Sequence, residues 1–242
     1  LTYNIGLLNW GSRTIGDHYD NREVPLSESK IYFSYNNVSL KNDIDTYYWN
    51  LKTVLEDYSW DYIVMQNWGP NVDFYANTDE NYNANWSKMA DMAAYLHGRE
   101  PKAEILIHET WAFETGYKEF ITDEIREQIT TNIQALNSRC ATACADAIGL
   151  NEPLRVITSG SAFDAARKYE NGAYFDTTYY SDGHKFEAGT TVNVGDGSDM
   201  LHPDDKEAGK TSLHRDGFHA GPAGEYLIAL NAYKIISGKN TT

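Results

Sequence analysis

Near its C-terminal end the chain reads Leu213-His214-Arg215-Asp216-Gly217-Phe218-His219, then Ala220-Gly221-Pro222-Ala223-Gly224 and an apolar stretch. A carboxylate three residues before an imidazole can, in a turn, accept a hydrogen bond from one ring nitrogen while the other faces a cleft. It then fixes the tautomer and stabilises the imidazolium that forms when the ring takes a proton. Asp216 and His219 are therefore a candidate orienter and general base. The same spacing also suits an aspartate capping a helix beside a surface histidine. His214, next to the pair in sequence, is expected on the same rim.

Elements must position such a pair. Apolar runs at Tyr3-Asn4-Ile5-Gly6-Leu7-Leu8, Trp60-Asp61-Tyr62-Ile63-Val64-Met65, Glu104-Ile105-Leu106-Ile107-His108 and Leu154-Arg155-Val156-Ile157-Thr158 read as strands. Helical periodicity appears over 44–58, 85–97, 118–148, 162–168 and 225–236. Residues 9–42 read as a polar loop, and 171–212 as a long Gly-, Asp- and Thr-rich excursion. Strands alternating with helices predict an α/β domain with a largely parallel sheet, and continuously apolar strands predict one covered on both faces. Ligands bind such sheets at the carboxyl ends of the strands. Attention therefore falls on Asn9-Trp10-Gly11-Ser12, Gln66-Asn67-Trp68-Gly69, Glu109-Thr110-Trp111 and Ser159-Gly160-Ser161.

The chain has 242 residues with 35 Asp and Glu against 20 Lys and Arg, a formal net charge of −15. Such an acidic chain without a basic patch is a poor partner for nucleic acid. No apolar run approaches the ~20 residues of a membrane helix. With 41% hydrophobic residues a sizeable core is within reach. Cys140 and Cys144, four apart in a helical stretch, read as small buried hydrophobes on one face. The 18 Tyr and 6 Trp, with sparse Lys, suit a secreted or cell-envelope protein that faces carbohydrate.

The run from Asp216 to Tyr226, D-G-x-H-x-x-x-x-G-x-Y before a C-terminal helix, resembles the Asp-x-x-His block of the SGNH (GDSL-type) hydrolase superfamily. Residues Trp60 to Gln66 resemble the third-strand block of an SGNH branch long catalogued as a domain of unknown function, in which a Gln-containing tip replaces the usual Gly-x-Asn-Asp. The stretch ending His108-Glu109-Thr110-Trp111-Ala112, and Ile157-Thr158-Ser159-Gly160-Ser161-Ala162-Phe163-Asp164-Ala165-Ala166-Arg167, are similar to the same branch. Gly11 falls where the superfamily has its second-block glycine. The resemblance covers essentially the whole chain, and the order of the blocks carries it.

The resemblance implies a three-layer α/β/α sandwich around a mainly parallel, flavodoxin-like sheet, one domain over 1–242. It implies a serine ester hydrolase acting on a small acyl ester of a carbohydrate or similar polar substrate, without metal or other cofactor. His219 would be the base, Asp216 its orienter, and Gly11 with Gln66 or Asn67 the oxyanion donors. Trp68 and Trp111, at strand tips, would stack on a sugar or pack their own loops. The Gly-Asn/Asp-Ser nucleophile block expected before Gly11 is absent, so the first strand and nucleophile are expected upstream of Leu1. The other class of reading is an inactive SGNH-fold relative that binds carbohydrate.

Serines within the chain compete weakly for the nucleophile's part. Ser12 follows Gly11 at a strand end. Ser159 and Ser161 flank Gly160 in a strand-to-helix turn, but a Gly-x-Ser-x-Gly elbow is not met. His18 with Asp17 and Asp20, and the run Asp196-Gly197-Ser198-Asp199, fit solvated loops better than metal sites. His184 and His202 carry no spacing signal.

Overall fold

The computed structural model describes residues 6–10, 14–23, 31–35, 38–40, 51–69, 71–115, 117, 121–169, 175–176, 211–214 and 217–238. The chain divides into two compact units. One comprises Leu1–Phe74, Thr78–Ile107 and Arg139–Leu154; the other comprises Tyr75–Asn77, His108–Ser138 and Arg155–Thr242. The fold is mixed α/β with a small parallel sheet and many helices.

In the first unit, β1 (Gly6–Trp10), β2 (Ile31–Tyr35) and β3 (Val38–Leu40) form an antiparallel sheet. This corrects the expectation of a polar loop over 9–42. The segments Ile-Tyr-Phe-Ser-Tyr and Val-Ser-Leu are rich in β-formers but too short to stand out among their polar neighbours. Only Asn36 and Asn37 separate them, the length and composition of a tight hairpin. The same polar stretch holds a helix, α1 (Ile15–Asp20). Thr14 caps it: its hydroxyl accepts from the Asp17 N–H, while the Asp17 carboxylate accepts from the Thr14 N–H at 2.8 Å. Asp17 thus has a capping role. His18, on the same helix, has its pKa lowered by burial against the smaller opposing pull of Asp17.

β4 (Tyr62–Met65) lies parallel to β5 (Glu104–His108), with Ile63 opposite Ile105 and Met65 opposite Ile107. β5 matches its sequence reading residue for residue, and β4 matches from Tyr62 onward. Between β3 and β4 comes α2 (Leu51–Asp57), which buries Val54 and Leu55. β5 is covered on both faces, with Ile105, Leu106 and Ile107 buried. β4 is not: Tyr62 and Val64, which point the same way, are 38% and 45% exposed. Aromatic and β-branched residues fit a pleated strand whether or not its face is covered, so the apolar run overstated the burial.

A 3₁₀ turn (Val72–Tyr75) and a short turn, α3 (Asp79–Asn81), lead into a π-helical segment, Tyr82–Trp86. The extra residue of a π turn re-aims side chains. Trp86 is fully buried and its indole N–H donates to the Phe74 carbonyl at 2.9 Å. Helix α4 (Lys88–Arg99) follows, burying Met89, Met92, Ala93 and Leu96 at the i, i+3, i+4, i+7 spacing that makes one face. Helix α5 (Asp123–Ala147) is the longest. Its Cys140 and Cys144 are free thiols, fully buried, and burial pushes both up to about 12. The Cys140 thiol donates to the Trp86 carbonyl.

In the second unit, β6 (Val156–Ile157) runs directly into α6 (Ser159–Lys168). β7 (Phe175–Asp176) and β8 (Thr211–Ser212) pair in parallel at the two ends of the expected excursion. Helix α7 (Pro222–Ser237) closes the described chain. Gly221 is its N-cap with Pro222 at N1, where a missing N–H costs nothing. Its C-cap, Gly238, is left-handed. Helix α7 packs against α6 and β6. Phe163, Leu213 and Ala220 form the core there, with Trp111, Ala166, Ala223, Leu227 and Ile228 packed around them. Among the described residues no helix is long and apolar enough to cross a membrane.

Candidate functional site

In the second unit, buried polar groups gather where β5 and β6 end. The Glu109 N–H donates to the Ile157 carbonyl at 2.9 Å. The Glu109 carboxylate, 2% exposed, accepts from the Ser161 N–H at 2.6 Å and from the Ser161 hydroxyl at 2.9 Å. It sits at the N-terminal end of α6, where free N–H groups and the helix dipole favour negative charge. Burial nonetheless raises its pKa, against the opposing hydrogen bonds from Ser161 and Gly160. The helix start comes so close that a Cβ on Gly160 would lie 2.1 Å from the Thr110 carbonyl oxygen.

His108, the last residue of β5, places Nε2 2.8 Å from the Ser159 hydroxyl. Burial lowers its pKa to about 4, so the ring is neutral at physiological pH. Ser159 is fully buried and is held by this contact, while Ser161 is engaged with Glu109 and accepts from the Gln134 amide. The strand-to-helix turn that superficially suggests a nucleophile elbow thus has both serines in internal hydrogen bonds.

The loop that carries His219 is pinned at several points. His214 and Ala220 form an antiparallel bridge, and the Gly221 N–H donates to the Leu213 carbonyl at 2.9 Å, so the loop's two ends are tied together. Gly217 adopts φ 84°, a conformation that favours glycine. Its carbonyl accepts from the Glu114 N–H at 2.9 Å. The next carbonyl, that of Phe218, accepts from the Trp111 indole N–H at 2.7 Å. The Phe218 and His219 rings lie 3.8 Å apart between centroids. His219 itself is exposed.

Beside the loop lie buried polar groups. His214 is 3% exposed, which corrects its expected place on an open rim; its Nδ1 lies 3.1 Å from the buried Glu114 carboxylate. The Phe163 ring meets His214 edge-on and stacks on Trp111 at 4.9 Å and 10°. The Arg167 guanidinium donates to the Ala112 carbonyl at 3.1 Å. Burial lowers its pKa to about 10, and Glu114 is the largest opposing influence. Sequence reasoning did not single out Glu109, Glu114 or Arg167 individually. Glu109 and Arg167 were present only as polar letters inside two of the blocks that carry the resemblance, and Glu114 lies two residues beyond the first of them.

In the first unit, Gln66 is exposed and Trp68 partly buried, while Asn67 is 1% exposed. The Asn67 side chain accepts from the Ile15 N–H at 3.1 Å and donates to the Asn85 carbonyl at 3.0 Å, so it ties the start of α1 to the π-helical segment. Trp111 is partly buried, with its N–H and the Phe163 stack already accounted for. Gly11, Ser12, Asp216, His184, His202 and the 196–199 run lie outside the described residues.

No family model matches the chain, and no curated protein does. Among solved structures the chain is similar to a DUF4886 family protein from Bacteroides uniformis. The two share 18% identity, with 98% of this chain and 72% of that one covered, at a TM-score of 0.59. Likeness at that identity is a likeness of fold.

Proposed function

We propose that the chain belongs to an ester hydrolase of the SGNH type, with a three-layer α/β/α sandwich as its architecture and a small acyl ester, carried by a carbohydrate or similar polar alcohol, as substrate. The observation that carries the reading is the His219 loop. An exposed imidazole stands on a loop tied at both ends and held at Gly217 and Phe218 by the segment that follows β5. A general base needs that combination of access and fixed position. Asp216 orients the ring. His219 takes the proton of a serine as its oxygen attacks the acyl carbon, then returns it to the departing alcohol.

The oxyanion of the tetrahedral intermediate needs fixed donors. The reading assigns these to the Gly11 N–H and to a side-chain amide. Gln66 is the better candidate for the amide, because it is exposed while Asn67 is held at both ends. The nucleophile is a serine within reach of the His219 ring, and within these residues Ser12 is the one to test. A secreted or cell-envelope site of action accompanies this reading.

A fluorophosphonate probe reports the nucleophile directly, because it esterifies an activated serine. The natural protein should be labelled at one serine, identified by peptide mapping, and should hydrolyse p-nitrophenyl acetate. His219→Ala should depress both rates by roughly three orders of magnitude or more. Labelling and hydrolysis that survive His219→Ala sink the assignment of the base. Absence of both in the natural protein favours the inactive, carbohydrate-binding relative.

A further inference from the structure

We infer that Trp111 is a positioning residue for His219, acting through the backbone of the loop rather than by touching substrate. The inference rests on the reading of His219 as general base. The indole N–H donates to the Phe218 carbonyl at 2.7 Å, and that carbonyl belongs to the peptide unit whose N–H is that of His219. The neighbouring carbonyl, that of Gly217, is held by the Glu114 N–H. Two consecutive peptide units before His219 are thereby anchored to the segment that follows β5.

The anchor is itself fixed. The Trp111 ring lies nearly parallel to the Phe163 ring at 4.9 Å, and Phe163 is fully buried in α6. His108 lies near the same ring, at 6.3 Å between centroids. An indole in this setting has little freedom to follow a moving carbonyl. It gives the loop a donor of fixed direction, which a water molecule or a surface side chain does not. The Phe218 ring, against His219 at 3.8 Å, carries the restraint from the held backbone to the imidazole. A base misplaced by about 1 Å costs on the order of a hundredfold in rate. A device that fixes the peptide bond entering His219 therefore acts on turnover more than on substrate affinity.

The experiment uses the full natural protein. Trp111→Phe keeps an aromatic ring on Phe163 and deletes the donor. Replacement of Trp111 by 3-benzothienylalanine, which has sulfur in place of the N–H, deletes the donor with nearly the whole ring area kept. Expected for both is a kcat on p-nitrophenyl acetate lower by about ten- to a hundredfold, with KM within about twofold. Carbon-13 relaxation of the His219 ring, which needs no activity, should gain microsecond-to-millisecond exchange. Unchanged kcat and unchanged ring relaxation overturn the inference, and if His219→Ala still abolishes hydrolysis the proposed function stands without it. A kcat loss that merely tracks a lower melting temperature, with no change in the His219 ring, also overturns it. Hydrolysis indifferent to His219→Ala removes the proposed function and with it the catalytic meaning of the clamp. The ring relaxation then still reports whether the clamp exists.

Discussion

The two units bury different things. Ten polar or charged residues are buried among the described ones, and nine of them lie in the second unit: Glu109, Thr110, Glu114, Arg126, Thr130, Asn137, Ser159, Arg167 and His214. The first unit buries Asn67 alone and otherwise hides apolar side chains such as Trp86, Met89, Met92 and Leu96. Burying apolar surface is favourable at about 25 cal/mol per Å² wherever it occurs. Burying a carboxylate, an imidazole and a guanidinium is unfavourable unless each finds partners, and then it demands fixed geometry. The burial in the first unit is thus dominated by a term without direction, and the second adds more terms that have direction. Directional interactions are what a loop would require to present His219 as the proposed base.

The largest effect that can break this contrast is Gly160→Ala. A Cβ there would lie 2.1 Å from the Thr110 carbonyl oxygen and 2.9 Å from a Glu109 carboxylate oxygen. Real contacts of that kind do not exist, so the start of α6 must withdraw from the segment after β5. The Glu109–Ser161 and His108–Ser159 bonds would lengthen together. The expected cost is about 4 kcal/mol or more, the range reached when overpacking and a broken buried network coincide. Urea unfolding measures it. A loss below about 1 kcal/mol would show that the polar unit is more yielding than its hydrogen bonds imply.

Next in size is a pH effect at His108. Burial holds its pKa at about 4, against 6.5 for an ordinary histidine. Between those values the unfolded chain binds a proton that the folded one refuses, so stability falls as pH drops from about 6.5 towards 4 and the loss is complete below 4. The shift converts to at most about 3 kcal/mol. Glu109 acts with opposite sign: its raised pKa makes stability fall as pH rises through the region just above the ordinary carboxylate range. The difference between the natural protein and His108→Gln isolates the histidine. Thermal midpoints at pH 7 and pH 4.5 should converge, or cross in favour of His108→Gln, at the lower pH. A constant gap between the two proteins across that range would mean that His108 is not held neutral.

Legibility in the sequence follows the same divide. β4, β5 and α4 were readable because apolar periodicity reports non-directional burial. The bounds of β5 were met residue for residue. β2, β3 and α1 were not readable, because their signals are a hairpin of short segments and a capping box inside a polar stretch. At the site, His219 stood out by its spacing from Asp216. The groups that hold its loop did not. The Trp111 N–H reaches across 107 positions to the Phe218 carbonyl, and Glu109 reaches across 52 to Ser161. Directional contacts between distant residues leave no periodicity in one sequence.

The smallest effect sharpens the comparison by making the same exchange in the first unit. Gly98 lies in the last turn of α4, exposed, and a Cβ there would meet nothing within 4 Å. A glycine inside a helix costs roughly 0.5–1 kcal/mol relative to alanine, because the unfolded chain has more freedom to lose. Position near the helix end reduces the gain, since the last turn frays. Gly98→Ala should therefore stabilise the protein by about 0.5 kcal/mol, seen as a higher urea midpoint at unchanged slope. Gly160→Ala and Gly98→Ala add the same methyl group, yet the expected signs are opposite. One meets a directional network that has no room, the other a helix surface that only needs to be helical. If Gly98→Ala destabilised by 1 kcal/mol or more, the end of α4 would depend on glycine's backbone freedom, and the contrast between the two positions would fail.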